Sequence, residues 1–348
     1  MAKLRRADYS GPILQTVPFD VVEGPGPYGN SDAACNARYP TYHGTVADRV
    51  GVFCRQIHPH EGWFLHNLKG KRLYSRYESA NGVWRTMYAM DPANSGWQHY
   101  FIARLRQYRR LGFDGFFFDQ VELSRAGLLR HMTDSGGVRE LASNAKLRRA
   151  IASELAAIRS ALPGVPVWAN LTNDPGSAGG WSKYLPYLNG VMVEDFALGW
   201  KTAALPPAAR ITQLENIQAA LEEGKSVLLV AQGEREDYAR RRFTLALAWA
   251  LLPDGGASHV YYRYNDAGTN DYRQVWWSPL YALEPPAPKG PLLHRGAIWT
   301  RAYPQGHLRV NLASAHLHLP VQWRGLWERA GVSPTHGARR RARPGHDR

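Results

Sequence analysis

A chain of 348 residues has room for one large domain with an appendage, or for two domains of ordinary size. Its composition, 44% hydrophobic and 21% charged, can bury a substantial core, and no stretch has the length and apolarity of a membrane span. The formal net charge of +14 sets 43 Lys and Arg against 29 Asp and Glu. Part of that excess lies in the closing Ala-Arg-Arg-Arg-Ala-Arg-Pro-Gly-His-Asp-Arg, which reads as a disordered basic tail over 331–348. Such charge attracts nucleic acid or acidic polysaccharide, but here it reads first as solubility charge, because no nucleic-acid motif accompanies it.

The opening Met-Ala-Lys-Leu-Arg-Arg has the positive residues of a signal peptide without the apolar run that must follow. As written, the chain is expected in the cytoplasm; a start upstream would make it secreted. Cys35 and Cys54 have no metal-ligand spacing around them, and one disulfide is possible but not implied. Phe19 to Val22 and Val50 to Phe53 read as strands, whereas His60 to Met90 shows neither helical nor strand period and reads as a long loop.

From Trp97 onward, helix and strand patterns alternate. Phe101, Leu105 and Tyr108 share a helix face that ends at Gly112, followed at once by Gly-Phe-Asp-Gly-Phe-Phe-Phe-Asp, a run suited to a parallel strand buried on both faces. Leu147, Ile151, Leu155, Ile158 and Leu162 give the clearest helical period, stopped by Pro163 and Gly164. Val-Pro-Val-Trp-Ala-Asn is the next strand, then a Gly-rich loop, then Gly-Val-Met-Val-Glu-Asp. A helix through Ile211, Leu214, Ile217 and Leu221 closes at Gly224, and Ser-Val-Leu-Leu-Val-Ala-Gln forms a strand. A helix through Phe243, Leu247 and Leu251 leads to His-Val-Tyr-Tyr-Arg-Tyr-Asn, which carries Tyr264 and Asn265. Beyond Glu-Pro-Pro-Ala-Pro-Lys-Gly-Pro, the stretch from Gly296 to Val321 alternates as short antiparallel strands.

Strands separated by helices imply an α/β fold with a parallel sheet. Asp119, Asn170, Glu194, Gln232 and Asn265 all close apolar strands, and a rim of polar strand ends suits a (β/α)8 TIM-like barrel better than an open sheet with one switch point. No Gly-rich phosphate loop is present to favour the open sheet. The count reaches seven strands rather than eight. Either Tyr88-Ala89-Met90 supplies the missing one, or the first barrel strand is lacking or divergent because the start lies downstream of the true one; the second is preferred. The expected layout is a barrel over 12–284, a small antiparallel β appendage over 285–330 and the tail.

Cleaving a glycosidic bond through an oxocarbenium-like transition state normally requires two carboxyl groups, one protonated and one ionised. Asp119 and Glu194 fit in type and position, since two βα units between them return both to one rim. The bland alternative for either is capping of the next helix. Asp114 opens its strand at the opposite, stabilising end and is assigned to structure. Asp195 follows Glu194, so pleat alternation turns it toward the helices unless a bulge exchanges the two. Substrate-binding candidates are His58, Trp63, Asp91, Asn170, Trp181, Asp195, Gln232 and Tyr264. Each Trp, including Trp200, could stack on a sugar ring or simply pack. His-Pro-His-Glu suits no common zinc helix, so neither a metal nor another cofactor is expected.

Several segments in order carry a family resemblance: His-Pro-His-Glu-Gly-Trp-Phe-Leu-His-Asn-Leu-Lys-Gly-Lys, Met-Asp-Pro-Ala-Asn-Ser-Gly-Trp before a helix, Gly-Phe-Asp-Gly-Phe-Phe-Phe-Asp, and the closing Gly-Ala-Ile-Trp-Thr-Arg-Ala-Tyr-Pro-Gln-Gly-His-Leu-Arg-Val-Asn. Across roughly residues 19 to 321 the chain resembles the hypothetical glycosyl hydrolase barrels, distant relatives of endo-α-1,4-polygalactosaminidase and of α-amylase-type barrels. That resemblance implies a carbohydrate substrate, with Asp119 as nucleophile or base and Glu194 as proton donor. Two departures from the amylase pattern stand out: Phe117 occupies the place of an arginine two residues before Asp119, and Asn170 rather than a carboxylate ends its strand. The competing readings are a non-catalytic carbohydrate-binding barrel, distinguished by glycan binding without released sugar, and a protein acting on nucleic acid, distinguished by salt-dependent binding that survives removal of the tail.

Overall fold

In the computed structural model, the described residues are 10–24, 35, 52–78, 84–133, 136–171, 179–199, 205–234, 237–252, 259–266, 281, 287–304 and 306–320. The tail, Val50, Gly51 and Trp200 lie outside them. The chain divides into two compact units, Met1–Met192 and Val193–Arg348.

The first unit opens with strand β1 (Leu14–Pro18), whose residues pair in parallel with Gly115 to Asp119. Pro18 has no N–H to continue a ladder, and Asp20 turns the chain in the left-handed region at φ 52°. The backbone leaves as β2 (Val21–Gly24), which joins a different sheet. Of the strand expected over Phe19 to Val22, Phe19 and Asp20 form the turn between two strands, and Val21 and Val22 open β2. The strand expected near Phe53 is instead a π-helical turn, Phe53–Ile57, which brings Phe53 and Ile57 into the core; its Cys54 is disulfide-bonded to Cys35.

The expected loop from His60 to Met90 also contains regular structure. Strands β3 (Tyr74–Glu78) and β4 (Trp84–Ala89) form a three-stranded antiparallel sheet with β2, in the order β2-β4-β3. Met87, Tyr88, Ala89 and Met90 are all buried, so both faces of this segment are covered and its sequence lacks the alternation of a half-exposed strand. Tyr88-Ala89-Met90 therefore does not supply a parallel barrel strand.

Helix α1 (Ser95–Arg110) begins where the Asn94 side chain accepts the Trp97 N–H at 3.1 Å, and it buries Trp97, Phe101, Leu105 and Tyr108. Strand β5 (Gly115–Val121) follows directly. Phe116, Phe118 and Val121 are fully buried, and each aromatic contributes about 1.5–3 kcal/mol of burial. Helix α2 (Arg125–Arg130) is capped by Ser124, and α3 (Asn144–Ala161) by Ser143. Strands β6 (Val167–Leu171) and β7 (Gly190–Val193) complete a parallel set ordered β1-β5-β6-β7. At the entry to β5, the Asp114 carboxylate accepts the Ile13 N–H at 2.7 Å, a structural tie at the end of the strand away from Asp119.

In the second unit, α4 (Pro207–Glu222) leads through Gly224, in the left-handed region at φ 74°, to β8 (Ser226–Gly233). Helix α5 (Tyr238–Ala250) is capped by Asp237 and connects to β9 (Val260–Asp266), which lies parallel to β8. Strands β10 (Leu293–Arg295), β11 (Ile298–Tyr303), β12 (Gly306–Asn311) and β13 (His316–His318) then form an antiparallel sheet. Arg301 reaches from this sheet to the end of α5, donating to the Ala250 carbonyl at 2.6 Å. The chain is thus an α/β protein with parallel strands separated by helices and a C-terminal antiparallel sheet, as its alternating pattern implies.

Candidate active site

Asp119 lies two residues before the end of β5, beside a break in the ladder. Phe118 pairs with Ala169 and Val121 with Leu171, so three steps along β5 match two along β6. The extra residue is absorbed at Asp119-Gln120, with Gln120 at φ 61°. Such a bulge re-aims side chains, and a non-glycine residue in the left-handed region is a strain that functional sites commonly store. Asp119 Oδ1 accepts the Gln120 N–H at 3.0 Å and the Asn170 amide at 2.9 Å. Its Oδ2 has no hydrogen-bond partner among the described residues, and the side chain is half-buried. A carboxylate with one oxygen fixed and the other open is suited to accept a proton or attack an electrophilic carbon.

Beside this strand end is a small pocket, with Phe19, Asp20, Gln120, Glu122, His131 and Met132 among its lining residues. The Asp20 carboxyl is pushed up to about 7, first by burial. Glu154, on α3, is raised well above the ordinary carboxylate range by burial and by the Asp20 charge. Burial also raises Asp91, whose side chain accepts the Ala93 N–H at 3.0 Å.

The other candidates in this unit have mixed surroundings. His58 Nδ1 faces the Arg72 guanidinium at 3.0 Å, and Arg72 also pairs with Glu61. That pairing draws Glu61 down to about 2. His66 lies between Glu61 and Glu140, with each ring nitrogen 2.8 Å from a carboxylate oxygen. Trp63 stacks on His60 with centroids 4.1 Å apart, and its carbonyl accepts the Asp91 N–H at 2.8 Å. Trp181 is 1% exposed, a core residue in its surroundings.

In the second unit, polar strand ends are chained together. The Asn265 amide donates to Gln232 Oε1 at 2.9 Å, and Gln232 donates to the Glu194 carbonyl at 3.0 Å. This fixes the backbone that presents the Glu194 side chain. Asp195 accepts the Gln213 amide at 2.9 Å and so faces helix α4. Tyr264 is buried, its hydroxyl donating to the Glu234 carbonyl at 3.0 Å. Among the described residues, no group of three or more His, Cys, Asp or Glu side chains could hold a metal ion, and no helix is long and apolar enough to cross a membrane.

The family model for "Hypothetical glycosyl hydrolase family 15" matches residues 28–307. The chain belongs to this family. Among solved structures similar to this member of family 15 is the glycoside hydrolase domain of PelA from Pseudomonas aeruginosa, 17% identical over 78% of this chain and 85% of that one, with a TM-score of 0.44. Another is an α-galactosidase from Thermus thermophilus, 14% identical over 76% of this chain and 49% of that one, with a TM-score of 0.40. No curated protein matches the chain.

Sequence reading of this family 15 chain missed Asp20, Glu154 and Gln120. Glu154 had a signal: it stands three residues after Ile151 and four before Ile158, on the buried face of α3. Asp20 and Gln120 had none, because their backbone conformation arises from strand pairing.

Proposed function

We propose that the chain hydrolyses glycosidic bonds in a poly- or oligosaccharide, with Asp119 as nucleophile or general base and Glu194 as general acid. The observation that carries this reading is Asp119 itself: a half-buried carboxylate at a strand-end bulge, with one oxygen held by Asn170 and Gln120 and the other open. Membership of a glycosyl hydrolase family supports a carbohydrate substrate. Chemically, one carboxyl must protonate the leaving oxygen while the other stabilises or attacks the anomeric carbon. The fixed backbone of Glu194 supports its role as the second group.

The test is release of reducing sugar from a panel of neutral, acidic and amino-sugar polysaccharides by the wild type, Asp119→Asn and Glu194→Gln. Each substitution is expected to lower turnover by about 10²- to 10⁴-fold, the usual contribution of a positioned acid or base. Full activity in either variant would remove that residue from the mechanism. Glycan binding by the wild type with no released sugar would replace hydrolysis with carbohydrate binding.

A further inference from the structure

The Asp20 and Glu154 carboxyl groups face one another inside the first unit, and the mechanism proposed above uses neither. Asp20 Oδ1 accepts the Trp97 indole N–H at 3.1 Å. Asp20 Oδ2 and both Glu154 oxygens are buried and accept no hydrogen bond from any donor among the described residues, and each carboxyl acts electrostatically on the other. Glu154 is completely buried on α3. Two buried carboxylates at close range cannot both ionise without a neutralising cation, and a proton is the simplest one.

The backbone connects this pair to the candidate site. Asp20 turns the chain at φ 52°, and its carbonyl accepts the Met90 N–H at 2.8 Å. Phe19, the preceding residue, donates its N–H to the Asp119 carbonyl at 2.9 Å. The Asp20 turn is therefore one hydrogen bond from the backbone of Asp119. Gln120, at the bulge, lines the same pocket as Asp20.

We propose that Asp20 and Glu154, both held as neutral carboxyls, act together as a positioning pair, holding the end of β1 so that it supports the Asp119 strand end. Loss of the Asp20 proton places a charge beside the neutral Glu154 carboxyl in that buried space and loosens the turn. The groups surrounding the pair are mainly acidic or neutral. Asp91, in the segment before α1, adds negative charge to both carboxyls. Tyr184 feels the charges of Asp20, Glu122 and Arg148, and Glu122 and His131 line the pocket. Burial holds Glu154 protonated and leaves Asp20 to titrate around 7.

A carboxyl raised on folding binds its proton more tightly in the folded chain. The stability it confers is complete below the ordinary carboxylate range and is lost as pH rises through about 7. For one proton, the ratio of folded to unfolded chain falls by up to about tenfold per pH unit across that window.

The experiment combines three readouts on the full chain for the wild type, Asp20→Asn and Glu154→Gln: unfolding stability from pH 4.5 to 8.5, the infrared carbonyl band of a buried protonated carboxyl, and the amide resonances of Phe19 and Gln120 against pH. In the wild type, the infrared band is expected at pH 6, and both amides should shift with a midpoint near 7. Each variant should flatten the stability slope and abolish the common midpoint. Glu154→Met keeps the test open if an amide variant does not fold. Absence of the infrared band, or amide shifts indifferent to both substitutions, would overturn the pair. Its link to hydrolysis rests on Asp119 being the reacting carboxylate; a pair that titrates in a chain releasing no sugar would sink the hydrolase reading alone.

Discussion

At the scale of single residues, the candidate site depends on how one aspartate is held. Asp119 stands out in the sequence as the polar end of an apolar run, yet its orientation comes from the bulge and from Asn170 on the neighbouring strand. Asn170→Ala would leave Oδ1 with only the Gln120 N–H and free the carboxylate to rotate. The expected result is a loss of about 10- to 100-fold in kcat with little change in KM, because displacement of a reacting group by about 1 Å can cost about 10²-fold. Unchanged kcat in a folded variant would show that Asn170 does not orient the reacting group. The position of Glu154 on the buried face of α3 was visible from spacing, but its partner was not. Asp20 and Glu154 meet only because a strand turn and a helix pack together.

At the scale of elements, the legible parts were those whose burial follows one period. Helices α1, α3, α4 and α5 and strands β5 to β9 lie where helical spacing and continuous apolar runs place them. The N-terminal elements were not legible, because β4 is covered on both faces and the Asp20 turn follows from pairing rather than from a glycine or asparagine signal. Close strand packing also makes a prediction at Gly115 in β5. A Cβ there would fall 2.3 Å from the Pro166 carbonyl oxygen and 2.8 Å from Leu14 on β1. Gly115→Ala must therefore push adjacent strands apart, and denaturant unfolding is expected to show a loss of about 1–3 kcal/mol. A neutral substitution would mean that the parallel strands separate more easily than their ladder implies.

For the whole molecule, the Cys35–Cys54 disulfide acts on the unfolded chain as much as on the folded one. It links positions 19 residues apart, and a loop of that order restricts the unfolded ensemble by about 3 kcal/mol. Replacing both cysteines with serine should lower the unfolding midpoint, with little change in hydrolysis if the bond serves stability alone. The sequence by itself determined the α/β class, the C-terminal antiparallel sheet and the strand that carries Asp119, because each is written in local periodicity and in polar residues that end apolar runs. Only the tertiary structure decided that the cysteines pair, that Asp119 is turned by a bulge and held by Asn170, and that Asp20 faces Glu154. Those relations join residues distant in sequence, and their energies arise from burial and hydrogen bonding that exist only after the strands and helices have packed.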